Sequence, residues 1–195
     1  MAAAQNVAGR FDHYVLALSW SPSWCATDPR ADRSEQCAPD GPKGFIVHGL
    51  WPQHLRGWPE FCSTHHRGPT RAETRAMADV MGSAGLAWHA WRKHGRCSGL
   101  SAADYFALTR RAYATFRHPT LPRSGGAEAT LSRQSLEELI RAANPDIPER
   151  GMVLRCDGNL FRELRLCLSK QLAARSCTSD AQNNCKLSNL TFPVR

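Results

Sequence analysis

The sequence lacks most of the features that give a quick answer. Nowhere in its 195 residues is there a run near 18 consecutive apolar positions, so no membrane-spanning helix is written into it. Heptads, collagen triplets and fixed-period repeats are absent, which excludes fibres and solenoids. The GxGxxG, Walker and GxSxG patterns are missing, so nothing points to dinucleotide binding, P-loop chemistry or a serine hydrolase. No paired CxxC knuckles occur. The nearest approach, Cys62 with His65 and His66, lacks a second ligand pair, so neither a metal nor another cofactor is expected. Lysine is scarce, with 4 Lys against 21 Arg.

What is present reads as an ordinary globular chain, 42% hydrophobic and 22% charged. The length fits one domain over residues 1–195, with residues 1–9 a disordered mature N-terminus. The formal charge is +8, nearly all of the positive side from arginine. A planar guanidinium suits bidentate phosphate contacts, so an anionic partner such as nucleic acid is one reading of the surface. A basic surface with no dedicated ligand is the other.

Cys25, Cys37, Cys62, Cys97, Cys156, Cys167, Cys177 and Cys185 are even in number and irregularly spaced. That pattern reads as a disulfide framework, hence a secreted or periplasmic protein. Eight cysteines allow 105 pairings, and the arithmetic selects none of them. The start, Met-Ala-Ala-Ala-Gln, has no signal-peptide character and reads as a mature chain with an added methionine. A monomer is the expected state, because no unpaired cysteine or zipper asks for a partner.

Strands are expected over residues 11–18, 44–47, 151–156 and 160–168, the last alternating around Leu160, Leu164 and Leu166. Helices are expected over residues 69–81, 86–93, 101–116 and 135–143, with a long Ser/Pro/Cys-rich loop before residue 42 and a Pro/Gly loop over 118–126. Strands mixed with grouped helices indicate an α+β fold.

Two segments carry histidines with a chemical context. In Phe45-Ile46-Val47-His48-Gly49-Leu50-Trp51-Pro52-Gln53, His48 ends a strand where glycine lets the chain turn out of the sheet, and Trp51 offers a flat face. In Trp88-His89-Ala90-Trp91-Arg92-Lys93-His94-Gly95, His89 and Lys93 share a helix face, with His94 beside them at the helix end. A lone histidine is more often structural, and a charged helix face is more often simply solvated. Together, though, two imidazoles and an ammonium can hold a phosphate and move protons. Ribonuclease chemistry needs that combination: a neutral histidine deprotonates the ribose 2′-OH, and a protonated one protonates the leaving 5′-oxygen.

At these segments the sequence resembles the ribonuclease T2 family of acid, transferase-type ribonucleases. Residues 48–52 match its HGLWP motif in full, and the second motif, HEWxKHGxC, is matched at His89, Trp91, Lys93, His94, Gly95 and Cys97. FDHYVLALSWSPSWC at residues 11–25 and CDGNLFRELRLCLSK at 156–170 also look like family segments. The resemblance implies a disulfide-stabilised α+β fold with a central antiparallel sheet flanked by helices. It implies an endoribonuclease that cleaves single-stranded RNA to 2′,3′-cyclic phosphate ends without a metal, away from membranes. His94 matches the general base and His48 the general acid, while His89 and Lys93 match residues that hold the phosphate. Trp51 matches a base-stacking aromatic, Gln53 a polar base contact, and Leu86 lies where the family often has a pocket aromatic. The implied bridges are Cys62–Cys97, Cys156–Cys185 and Cys167–Cys177, leaving Cys25 with Cys37.

The chain departs from the motif at Ala90, where the family carries glutamate. Losing one preorganised polar group commonly costs about 10²–10³ in rate, so a slow enzyme is expected. The alternatives are an RNA-binding protein of the same fold with little turnover, and a disulfide-rich structural or inhibitory protein. Trp88 and Trp91 are expected to pack in the core. Trp20 and Trp24 could serve either the core or a base, and His65, His66 and His118 read as surface histidines.

Overall fold

The computed structural model describes residues 6–42, 44–121, 128–181, 183–185 and 189–193. The fold is α+β. Six strands form one sheet: β1 (His13–Trp20), β2 (Phe45–Gln53), β3 (Glu128–Leu131), β4 (Met152–Asp157), β5 (Leu160–Leu168) and β6 (Leu190–Pro193). Its order is β2-β1-β5-β6-β3, with β4 also on β5. Pairing is antiparallel except for a single parallel register contact, Leu160 with Thr191, between β5 and β6.

Alternation along the central strands gives the sheet two faces. Leu16 and Leu18 of β1 and Leu164, Leu166 and Leu168 of β5 enter the principal core, which the helices cover. Val15, Ala17, Trp51 and Cys167 form a second, smaller cluster. The helices are α1 (Ser21–Thr27), α2 (Arg71–Arg75), α3 (Ala78–Met81), α4 (Ala84–Lys93), α5 (Ala102–Ala114) and α6 (Arg133–Ala143). Ser83, Ser101 and Ser132 cap α4, α5 and α6 by accepting backbone N–H bonds, which fixes starts close to those the sequence suggests.

The single helix expected over 69–81 is broken into α2 and α3. The Thr74 hydroxyl bonds back to the carbonyls of Thr70 and Arg71 just before the break, and Met77 and Met81 enter the core. The early loop holds α1 and two 3₁₀ turns, Ala31–Arg33 and Glu35–Cys37. The short strands β3 and β6 also escaped the sequence reading. The expected loop over 118–126 lies partly outside the described residues, as does the N-terminal stretch 1–5. Residues 6–9, expected to be disordered, are tied down: Val7 bridges to Ser63, and the Gly9 N–H donates to the Cys97 carbonyl.

The disulfides are Cys25–Cys37, Cys62–Cys97, Cys156–Cys185 and Cys167–Cys177, the pairing the resemblance implies. Each such bridge typically contributes about 2–4 kcal/mol by restricting the unfolded chain. Among the described residues no helix is long and apolar enough to cross a membrane.

Candidate active site

The site lies along the edge strand β2. The sequence reading ends this strand at His48, but the strand continues to Gln53. His48 is instead the extra residue of a β-bulge: Leu18 pairs with Val47 and Ala17 with Gly49, so nothing opposes His48. A bulge re-aims a side chain without ending the strand. The next residue must be glycine, because a Cβ at Gly49 would run into the Trp51 indole.

The bulge points His48 at Glu163 of β5. His48 Nδ1 lies 2.6 Å from Glu163 Oε2, and Arg165 Nε donates to Oε1 at 2.7 Å. Ser19 Oγ donates to Oε2 at 3.4 Å. The Glu163 side chain is 9% exposed. Burial alone would raise its carboxyl, but His48 and Arg165 outweigh that and hold it below the ordinary carboxylate range.

α4 supplies the other half. Its Ala87, Ala90 and Trp91 pack into the principal core, which turns its C-terminal end toward β2. Here the Trp51 ring stacks on His94, with centroids 4.9 Å apart and planes 26° from parallel. Trp51 meets His48 edge-on at 5.2 Å, and the Arg165 guanidinium lies 4.9 Å from the centre of its ring. Gly95 is required next to His94, since a Cβ there would meet Trp91 and Tyr105 at under 3 Å.

His94 is 8% exposed, and its Nδ1 is buried without a hydrogen-bond partner among the described residues. Nε2 is therefore the nitrogen left for chemistry. Burial first, then the nearby charges of Lys93, His48, His89 and Arg165, push its pKa down to about 3. His89 is lowered too, by burial and then by His48, Lys93 and Arg92. The Lys93 ammonium sits 3.5 Å from the Glu60 carboxylate.

A cleft of about 750 Å³ opens beside these groups, lined by His48, His89, Leu86, Trp24, Ser19 and Arg33 among others. The structure thus brings together His48, His89, Lys93 and His94, and places Leu86 on the cleft wall. Trp51 is 9% exposed and packed among His94, His48 and Arg165. Gln53 lies at the far end of β2, where its amide donates to the Pro52 carbonyl, and it does not line the cleft. Of the two helix tryptophans, Trp91 is core as expected but Trp88 is 45% exposed. Trp20 packs on Phe45 and Phe192, while Trp24 faces the cleft. His118 is exposed yet contacts Phe45, Tyr113 and Phe116.

Glu163 and Arg165 were missed by the sequence reading. On β5 they alternate with Leu164 and Leu166, so the pattern reads them as outward and solvated. The available signal was an acidic and a basic residue two apart on one face of a strand otherwise rich in leucine.

An α+β sheet stapled by disulfides, carrying paired imidazoles beside an ammonium and a cleft, defines a class of protein equipped for proton transfer at a bound anion. Comparison with known proteins narrows this class. The profile of the Ribonuclease T2 family matches residues 11–177. The chain is 36% identical over 184 residues to a ribonuclease of Aeromonas hydrophila, covering 92% of this chain and 82% of that protein. It is 28% identical over 187 residues to a probable ribonuclease of Haemophilus influenzae, covering 90% and 64%. Its fold is similar to that of an RNase-related protein from Calystegia sepium, with TM-score 0.72 at 20% identity over 94% of this chain and 98% of that one. RNase NT in complex with 5′-AMP gives TM-score 0.68 at 20% identity, with the same coverage. The chain belongs to the ribonuclease T2 family and is a T2-type endoribonuclease.

Proposed function

We propose that this chain cleaves single-stranded RNA by metal-independent transphosphorylation. In this reading neutral His94 takes the 2′-OH proton at Nε2, and the 2′-oxygen attacks the adjacent phosphorus. The bond from phosphorus to the 5′-oxygen breaks, His48 donates its proton to that oxygen, and a 2′,3′-cyclic phosphate remains. His89 and Lys93 face the phosphate and stabilise the charge that builds on it. Trp51 keeps the His94 ring in place. The base lies in the cleft against Leu86 and Trp24; nucleotide complexes of RNase NT and RNase MC1, which share the fold, support such an occupant. Four disulfides favour an oxidising compartment, so the enzyme acts as a secreted or periplasmic protein, as a monomer.

One observation carries the reading: the two histidines occupy opposite surroundings. His48 lies against a carboxylate, whereas His94 is buried among cations. A ring held by a carboxylate on Nδ1 and a buried ring kept neutral among cations suit the donor and the acceptor of the proton respectively. A second reading, an RNA-binding protein with little turnover, draws on Ala90 and on the unpartnered Nδ1 of His94. Incubating a short RNA with EDTA from mild acid to neutral pH, and analysing the product ends, separates the two. Cyclic phosphate ends support the enzyme. Salt-sensitive RNA binding without cleavage supports the second reading.

A further inference from the structure

We infer that Glu163 is a positioning residue for His48: its buried carboxylate, held by Arg165, fixes the imidazole with Nδ1–H donated inward and Nε2 directed at the substrate. The inference rests on the proposed role of His48 as the proton donor.

Three features carry it. The contact is built from the sheet, since Glu163 sits opposite Ser19 in the β1–β5 register and reaches past β1 to the bulged residue of β2. The carboxylate has two oxygens and both are committed, Oε1 to Arg165 and Oε2 to His48 and more distantly Ser19. The arrangement is also directional. An imidazole that donates Nδ1–H to a carboxylate has only Nε2 free, so the contact fixes which nitrogen faces the substrate. This is the orienting logic of a carboxylate behind a catalytic histidine, here assembled across three strands.

The charged groups around the pair are few. Arg165 lies on β5 beside Glu163, and Arg155 of β4 is its register partner. From α4 and its end come His89, Lys93 and His94, the first and last of which feel the charge of His48. Glu163 is the carboxylate in contact with the His48 ring.

The first test uses the unmodified protein. In nitrogen-edited NMR, His48 should show the Nδ1–H tautomer when neutral and a strongly downfield, slowly exchanging Nδ1 proton. An Nε2–H tautomer with no such proton overturns the inference, whether or not the chain cleaves RNA. The second test is Glu163→Gln, with Glu163→Asp as a charge-preserving companion. Glu163→Gln should lower kcat at least tenfold with KM within about twofold, and remove the downfield, slowly exchanging Nδ1 proton of His48. Glu163→Asp should recover part of the rate and that proton signal. An unchanged Nδ1 proton in a folded Glu163→Gln protein, or a rate loss that follows only a fall in Tm, overturns the inference while leaving the cleavage reading intact. If neither variant folds, the tautomer in the unmodified protein decides.

Discussion

The two histidine-bearing segments solve one problem in opposite ways. On β2, a bulge frees His48 from the strand's alternation, leaves its ring half in solvent, and sets a buried carboxylate behind it. On α4, His94 caps the helix, is almost wholly buried, and has cations for neighbours and, among the described residues, no partner on Nδ1. A carboxylate lies behind one ring, while burial and neighbouring cations lower the pKa of the other. The difference teaches that the surroundings of the two rings are set by the second face of the sheet as much as by the motifs themselves.

Removing either ring should have the largest effect. His48→Ala and His94→Ala are each expected to lower kcat by roughly 10²–10⁴ while circular dichroism stays native. Substantial residual cleavage by either variant would break the acid/base pairing. Next comes the acid limb of kcat/KM. With His94 held down to about 3, the free enzyme keeps its base neutral through mild acid, and protonation removes it only as the pH falls toward that value. The rising limb should therefore lie below about pH 5, measured on a dinucleotide. A limb near the ordinary histidine value would mean that burial does not govern His94 in solution.

Much of this was legible in the sequence, and the failures have physical causes. Alternation located β5, the Ser101 cap located α5, and glycine or proline stops with helical patterning located α4 and α6, each to within a few residues. Two motifs in order brought out His48, His89, Lys93 and His94. The bulge was not legible, because a histidine followed by glycine reads equally well as a strand end, and only the register with β1 shows an unopposed residue. Glu163 and Arg165 were hidden for a related reason: period-two patterning reports which residues avoid the main core, and says nothing about what covers the other face. The sequence could not show that Trp51 stacks on His94, because the two lie in separate motifs and only the fold brings them together.

Position 90 offers a way to make the second histidine more like the first. Ala90 is 1% exposed and one turn before His94 on the same helix face, and the His94 N–H donates to its carbonyl. A glutamate there would bring a carboxylate one helical turn from His94, while burying part of its side chain. Ala90→Glu is expected to raise the cleavage rate at least tenfold and to move the acid limb upward in pH, because a nearby anion favours protonated His94. A lower Tm with no gain in rate would show that position 90 serves the core in this chain and that the pocket differs from the family pattern.

The smallest effect belongs to Glu60. Its carboxylate lies 3.5 Å from the Lys93 ammonium, and both side chains are more than a third exposed. An exposed pair of this kind is worth at most about 1 kcal/mol and weakens with salt. If Lys93 holds the phosphate, Glu60 competes with the substrate for it. Glu60→Gln should then lower KM about two- to threefold at low salt, leave kcat unchanged, and match the unmodified enzyme at high salt. The opposite result would be the more instructive one. A fall in kcat would mean that this carboxylate, reaching the site from the loop before Cys62, performs the work that Ala90 cannot, and that α4 lost its acid because the loop provides one.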